Sequence, residues 1–383
     1  MEIYFDNAAT TMVCKEAADA ALSAMTMEYG NPSSLHNKGL EAEKIMRRGR
    51  ESVAALWGVK AEEIYFTSCA TESNNLALSG AVKKGLKWGD TVITTKAEHP
   101  SVLEVLENLK SEHNFKLIYI DLLKNGQPDM DMLKKYMSEK IILISMMHVN
   151  NETGCIMPVR EAVNMVKKAS PRAFAHSDMV QSYGKTGVSP AMLGVDFASV
   201  SGHKIHAPKG IGALYIKNGV SIKTGIFGGG QEKNFRSGTE NVPGIAAFGA
   251  ASEKAMAERE ETNKKTAEIK KYISNSVLSC LDGCFTNGES TVSNILNITF
   301  TGLRSEILLH SLEARGIFVS SGSACSSNHP SPSKVLTAMG LKNGEIDGSL
   351  RFSFSGYNTM DEAKYTVKVL LEEVPKIRKF YRG

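Results

Sequence analysis

The sequence predicts an α/β protein: a large domain with a mainly parallel seven-stranded sheet, followed by a smaller α+β domain. Three observations carry this. Seven short runs rich in β-branched and aromatic residues recur between Glu63 and Ile216, helix-length segments separate most of them, and the pattern changes after Gly244. The runs are Glu63–Thr67, Thr91–Thr95, Phe115–Ile120, Ile141–Met146, Ala173–His176, Phe197–Val200 and Ile211–Ile216. Between them, Ser73–Lys87, Ser101–His113, Pro128–Met137 and Val159–Lys168 have the length and apolar spacing of helices. Strand, helix, strand in this order means right-handed crossovers and parallel neighbours. In such sheets ligands sit at the carboxyl ends of the strands.

From Gly244 to about Leu281 one charged, alanine-rich segment reads as a long helix with a wet face that leaves the first domain. Ser293–Phe300, a helix through Leu312, a glycine and serine loop at Ser320–Pro332 and Ser349–Phe354 then form the smaller unit.

Composition narrows the function classes. The 383 residues are 42% hydrophobic and 22% charged, which is globular and far from disordered or collagen-like chains. The net charge of +4 comes from lysine pairs scattered along the chain, with no basic block, so nucleic acid is not expected as a direct partner. The run Ile141–Val149 is less than half the roughly 20 residues that cross a bilayer, and Glu2 and Asp6 precede any apolar stretch. No membrane association is expected, and the cytoplasm is the expected compartment. Six cysteines without a C-x-x-C pair suggest free thiols, not a disulfide framework or a zinc site.

Chemistry concentrates at the predicted strand ends. Lys204 follows Ser201-Gly202-His203 at the end of one run, and Asp178 closes the preceding run in His176-Ser177-Asp178-Met179-Val180-Gln181. A Schiff-base lysine together with a carboxylate for a pyridine nitrogen is what pyridoxal phosphate requires. A phosphate group needs free backbone N–H groups, and Phe66–Asn75 (FTSCATESNN) runs from a strand through small residues into a helix. Taken alone, that stretch also reads as an ordinary helix cap with Glu72 following.

The chain resembles class V aminotransferase-fold enzymes of the NifS and IscS type, the cysteine desulfurases. The matching stretches are YFDNAATT (4–11), YGNPSSLH (29–36), FTSCATESNN (66–75), EHPSV (98–102), MHVNNETG (147–154), SGHK (201–204), RSGTENVP (236–243), SSGSAC (320–325) and LRFS (350–353). They cover essentially the whole chain in the family's order. The resemblance implies a homodimeric fold-type I pyridoxal-phosphate enzyme, with a large domain over 13–250 and a small domain joining 1–12 to 251–383.

Residue by residue, the resemblance assigns Lys204 to the Schiff base, Asp178 to the pyridine nitrogen and Gln181 to the ring hydroxyl. His99 would stack on the ring and take part in catalysis. Ala70, Thr71, Ser201 and His203 would hold the phosphate, with Thr239 arriving from the neighbouring subunit. Asn150, which would also touch the cofactor, and Arg351 would lie beside the carboxylate of L-cysteine, a role that suits a planar guanidinium. Cys325 would be the nucleophile that becomes a persulfide and passes its sulfur to an acceptor protein, an iron–sulfur scaffold or a tRNA-thiolation enzyme. Its polar Ser-Gly-Ser-Ala-Cys-Ser-Ser-Asn surroundings differ from a packed site, and the other five cysteines read as structural.

Cys69 stands where many relatives have glycine, and Met179 where alanine is common. The chain's last residues, Tyr381-Arg382-Gly383, lack the longer tail with which IscS-type members dock the scaffold, so delivery there stays open. Selenocysteine lyase or cysteine-sulfinate desulfinase activity would share every cofactor residue, but neither it nor plain transamination explains Cys325. A degenerate non-catalytic scaffold protein would be marked by loss of Lys204, Asp178 or Cys325, and all three are present.

Overall fold

The computed structural model describes residues 2–222, 225–321 and 332–382. Its centre is a seven-stranded sheet whose strands lie side by side in the order Ile64–Thr67, Gly212–Ile216, Phe197–Ser201, Phe174–Asp178, Ile141–Ser145, Thr91–Thr95 and Lys116–Ile120. Only Gly212–Ile216 runs antiparallel to its neighbours. All five strands between the edges are buried at every residue, so helices must cover both faces.

Alternate residues of each strand feed two cores. On one face Val92, Phe174, Phe197 and Leu214 pack with Leu76, Ala77 and Ala81 of the helix Ala70–Gly85 and with Val102 and Leu106 of Pro100–Glu112. On the other, Ile93, Ala175, Ala198 and Tyr215 meet Val163 and Val166 of Val159–Ala169, Val53 and Trp57 of Asn37–Trp57, and Phe248. The helices Lys15–Thr26 and Asn37–Trp57 precede the first sheet strand in the chain and were not indicated by the strand and helix alternation. Both pack on the start of the long helix Val242–Cys280. The crossing is close because Gly49 and Gly249 meet there: a Cβ on Gly249 would lie 2.7 Å from the Cα of Gly49.

That long helix has 39 residues, about 58 Å at 1.5 Å per residue. Its first turns are largely buried, and beyond them one face is wet to the end. Ala251 and Ser252 still belong to the first core, where Ser252 Oγ lies 2.9 Å from Tyr183 Oη. Ile269, Ile273 and Val277 belong to a second core. The change from one core to the other therefore falls inside a continuous helix, beyond the expected boundary at residue 250.

The second core lies under an antiparallel four-stranded sheet in the order Ser320–Ser321, Ser349–Ser353, Ile295–Phe300 and Cys284–Thr286. The helices Ser305–Glu313 and Met360–Arg382 complete the unit. Ile3 and Phe5 are buried in this core, and Ile3–Tyr4 pairs in parallel with Ile317–Phe318. The chain then crosses from there to the large sheet, placing Asp6–Thr11 between the two units.

One loop at the sheet edge is held by charge. Glu232, Lys233 and Asn234 all have left-handed backbone, with φ of 44°, 57° and 62°, a conformation that costs about 1 kcal/mol or more per residue without glycine. The buried Glu232 carboxylate accepts from Arg50 Nη1 and Nη2 at 2.8 and 2.6 Å and from Phe66 N at 3.0 Å. Three hydrogen bonds thus fix the strained turn, two of them to Arg50 of the helix Asn37–Trp57 and one to the first sheet strand. Glu232→Ala should leave Arg50 without its buried partner and lower stability by about 3–5 kcal/mol in urea unfolding, whereas an exposed control such as Glu41→Ala should change it by less than about 0.5 kcal/mol.

Candidate active site

The segments that follow five of the parallel strands meet at their carboxyl ends around a cavity of about 550 Å³. Lys204 closes the turn Gly202–Lys204 that follows Phe197–Ser201. Its ammonium donates to Ala8 O at 2.6 Å and Ala9 O at 2.7 Å, so the crossing N-terminal loop forms one wall. Asp178 ends the neighbouring strand. Its Oδ1 accepts from Val180 N and its Oδ2 from Asn74 Nδ2, each at 3.0 Å.

Asn74 is the hub of the site, and sequence reasoning passed over it as a helical residue. Besides Asp178, its amide donates to Ser101 Oγ at 2.9 Å, and its Oδ1 meets His176 Nε2 at 3.1 Å. Ser101 Oγ in turn lies 2.8 Å from His99 Nδ1. His99 is the N-cap of Pro100–Glu112, with Nδ1 accepting from Ser101 N at 3.1 Å, so the ring proton sits on Nε2. One helix side chain therefore orients both the carboxylate and the imidazole. His176, wholly buried among these groups, is pushed down to about 4 by burial.

The phosphate stretch folds as strand, turn and helix. Cys69 is the N-cap of Ala70–Gly85 but makes no side-chain cap, while Glu72 turns back to Ser68 N at 2.7 Å and to Arg236 Nε at 2.8 Å. The first N–H groups of this 16-residue helix are thus left to a ligand. Beside them, Ser201 Oγ is buried without a hydrogen-bond partner in the cavity wall. Gly212 permits the turn to sit so deep: a Cβ there would be 2.7 Å from the Cys69 carbonyl carbon. His203 also lines the cavity, its Nδ1 3.1 Å from Thr10 Oγ1, and burial with nearby Lys204 pushes it down to about 4.

Gln181 lies in the wall, its Nε2 donating to Ala8 O at 2.9 Å. Arg351, buried on the small-domain side, donates to Asp6 Oδ1 at 2.8 Å and Asn151 O at 2.9 Å. Its Nε is buried without a partner. The guanidinium keeps donor capacity at the cavity wall.

The structure corrects two readings. Asn150 does not face the cavity: its amide donates to Ala97 O at 3.1 Å, and its Oδ1 accepts from Glu152 N and Thr153 N at 2.9 Å. Both polar atoms of that side chain are thus occupied, Oδ1 by the turn and Nδ2 by Ala97 O, and Asn151 lines the cavity instead. Cys280, read as structural, is exposed at the end of the long helix. Thr239 is exposed and does not line the cavity of its own chain. Cys325 lies outside the described residues.

Two carboxyl groups were not anticipated. Glu98 Oε1 accepts from Met147 N at 2.6 Å, and Oε2 is buried without a partner. Burial, with the Asp178 charge nearby, pushes Glu98 up to about 8. Glu152 accepts from Ser333 Oγ at 2.5 Å, and burial pushes it up to about 7 against the opposing pull of Ser333, Arg351 and His99. Both line the cavity with His99.

Fold and site define an α/β enzyme with a lysine and a carboxylate at adjacent strand ends on one cavity. The chain belongs to the aminotransferase class-V family, whose sequence profile matches residues 3–365. It is 40% identical to a cysteine desulfurase of Trichormus azollae over 98% of this chain and 94% of the relative. It is 39% identical to the cysteine desulfurase IscS of Dictyoglomus turgidum, over 98% of this chain and 95% of the relative. A solved NifS-like protein superposes with a TM-score of 0.91 at 37% identity, covering 98% of this chain and all of the other.

The state of Glu98 has a measurable consequence. In the unfolded chain its proton leaves near 4.5, and in the fold near 8, so the folded state holds a proton that the unfolded state gives up, and stability falls as pH rises through that window. Glu98→Gln keeps the acceptor for Met147 N and cannot ionise. Its thermal midpoint should lose a few degrees less than the wild type's between pH 5 and pH 8.5 in the cofactor-free protein; equal losses would place the charge elsewhere.

Proposed function

We propose that this protein is a pyridoxal-phosphate-dependent cysteine desulfurase, converting L-cysteine and the Cys325 thiol to L-alanine and a Cys325 persulfide. The observation that carries the reading is the meeting of Lys204, Asp178, the uncapped helix N-terminus and the orphaned Ser201 hydroxyl on one cavity. Those are the donors and acceptors that the cofactor's aldehyde, pyridine nitrogen and phosphate require. The names of the relatives support the substrate.

When bound, pyridoxal phosphate supplies an electron sink at its ring and a carbonyl carbon for amines. The protein does the rest. Asp178 would hold the proton on the ring nitrogen, oriented by Asn74 and Val180 N. Gln181 would donate to the ring hydroxyl, and His99 would cover the ring face. Ala70, Thr71, Ser201 and His203 would take the phosphate, completed by Thr239 of the neighbouring subunit in a homodimer. Arg351 and Asn151 would bind the cysteine carboxylate, with the guanidinium held in place by Asp6. Once displaced by the substrate amine, the Lys204 amine would carry protons within the site, where Ala8 O and Ala9 O now hold it.

The sulfur transfer balances without an external oxidant. The Cys325 thiolate attacks the substrate sulfur, the substrate's C–S bond breaks, and the carbon that loses sulfur gains a proton, so alanine leaves and the enzyme keeps S–S–H. An acceptor protein's thiol, in an iron–sulfur scaffold or a tRNA-thiolation enzyme, then takes the outer sulfur. The cytoplasm is the proposed setting; no described helix is long and apolar enough to cross a membrane.

The decisive experiment is Cys325→Ser. It should abolish sulfide release from cysteine while the purified protein keeps the cofactor's visible absorbance band, and Lys204→Ala should lose the lysine-linked cofactor altogether. Full desulfuration by Cys325→Ser would overturn the mechanism. A second test concerns the adjacent asparagines: Asn151→Ala should raise KM for cysteine about tenfold with stability unchanged, and Asn150→Ala should cost roughly 1–3 kcal/mol of stability because it strands buried Glu152 and Thr153 N–H groups.

A further inference from the structure

A second cavity, of about 320 Å³, lies on the other side of Lys204, between the two cores. Lys204 is in the wall of both cavities, and Lys185 is in the wall of this one. Lys185 ends the turn that carries Gln181, and the turn is rigidly anchored: Tyr183 Oη reaches Val53 O at 3.1 Å and Ser252 Oγ at 2.9 Å in the large core. The Lys185 ammonium donates to Gln181 Oε1 at 3.2 Å. The other end of the same amide, Nε2, donates to Ala8 O. No part of the cofactor assignment uses Lys185.

The two ends of a glutamine amide differ chemically but barely in shape, so partners decide which way it faces. A lysine ammonium only donates and a backbone carbonyl only accepts. Between Lys185 and Ala8 O, only one orientation of Gln181 satisfies both. That orientation matters because Nε2 has a second hydrogen, free for a ligand oxygen, whereas the reversed amide would turn Oε1 toward it, acceptor against acceptor. Ala8 O alone is a weak guarantee, since it also accepts from Lys204, which must move during turnover. A donor at Oε1 also polarises the amide and strengthens its N–H as a donor.

We propose that Lys185 is a positioning residue: it locks the Gln181 amide so that Nε2 is presented to the ring oxygen of the cofactor. This rests on the pyridoxal-phosphate reading of the site. Burial and the neighbouring Lys204 bring the Lys185 amine down to about 7, so its charge is fullest in mildly acidic solution.

The test is a double-mutant cycle on cofactor binding, with the apoenzyme titrated with pyridoxal phosphate at about pH 6 and the visible band recorded. Lys185→Met should weaken binding about five- to tenfold and shift the band, because the ring oxygen loses an oriented donor. Lys185→Arg keeps the donor and has room in the second cavity, so it should stay within about twofold of wild type. In a Gln181→Ala background, Lys185→Met should change binding by less than about twofold. Unchanged binding and band in Lys185→Met, or losses that multiply in the double variant, would overturn the proposal. Should Lys185→Met not fold, Lys185→Gln replaces it under the same criteria, since an amide both donates and accepts and cannot enforce one orientation. A wild-type apoenzyme that takes up no cofactor, or attaches it to a lysine other than Lys204, would refute the cofactor reading itself, which is a separate result.

Discussion

Asp178 is the constraint on which the site depends. The strand that carries it is buried at every residue, so its carboxylate has almost no water to solvate it. A buried charge must find fixed dipoles instead. Asn74 supplies one from the helix Ala70–Gly85, which must then lie across the strand end with its first turn over the cavity. The same placement aims that helix's N-terminal N–H groups at the cavity, and through Ser101 it orients His99. Solvating one carboxylate thus sets the positions of the His99 imidazole and of the helix N-terminus.

The second organising element is the N-terminal crossing. Ile3 and Phe5 are buried in the small core, yet four residues later the backbone carbonyls of Ala8 and Ala9 hold Lys204. Thr11 Oγ1 donates to His203 O and accepts from His206 N, so the loop also fixes the turn that bears the lysine. Asp6 anchors Arg351 from the other side. Six residues therefore couple the small-domain guanidinium to the large-domain amine, and a relative shift of the two units would be felt at both ends of a substrate bound between them.

Much of this was legible in the sequence because of burial. Strands covered on both faces read as continuous apolar runs, and Thr91–Thr95 was found at its observed bounds. Phe174–Asp178 was read two residues short because Ser177 and Asp178 are polar, and Asp178 is polar because it lines the site. The helices Lys15–Thr26 and Asn37–Trp57 escaped because their buried residues are mostly alanine and glycine, chosen for close approach to the long helix and not for hydrophobicity. Within the site, Lys204 and Asp178 stood out by position at strand ends. Asn150 and Asn151 are the same residue type side by side, and only the turn decides which amide it consumes. Asn74 and Glu98 act through partners distant in the chain, which no local pattern reveals, and Lys185 reaches Gln181 four residues away only because the turn folds its ammonium back.

The cavity's charges fit its proposed substrate. Cysteine brings a carboxylate, an amine and a thiol; in the proposed reading Arg351 would meet the first and the second would sit beside Lys204, both of which line the cavity. Two further carboxylates lie in the same wall, and if ionised they would repel the substrate's carboxylate and the cofactor's phosphate. Burial raises both Glu98 and Glu152, so near neutral pH Glu98 stays largely protonated and Glu152 lies near its midpoint. A carboxyl held neutral adds no negative charge beside an anionic ligand and keeps an O–H to donate. The low polarity that forces Asp178 to rely on Asn74 is therefore the same property that keeps its acidic neighbours from opposing an anionic ligand.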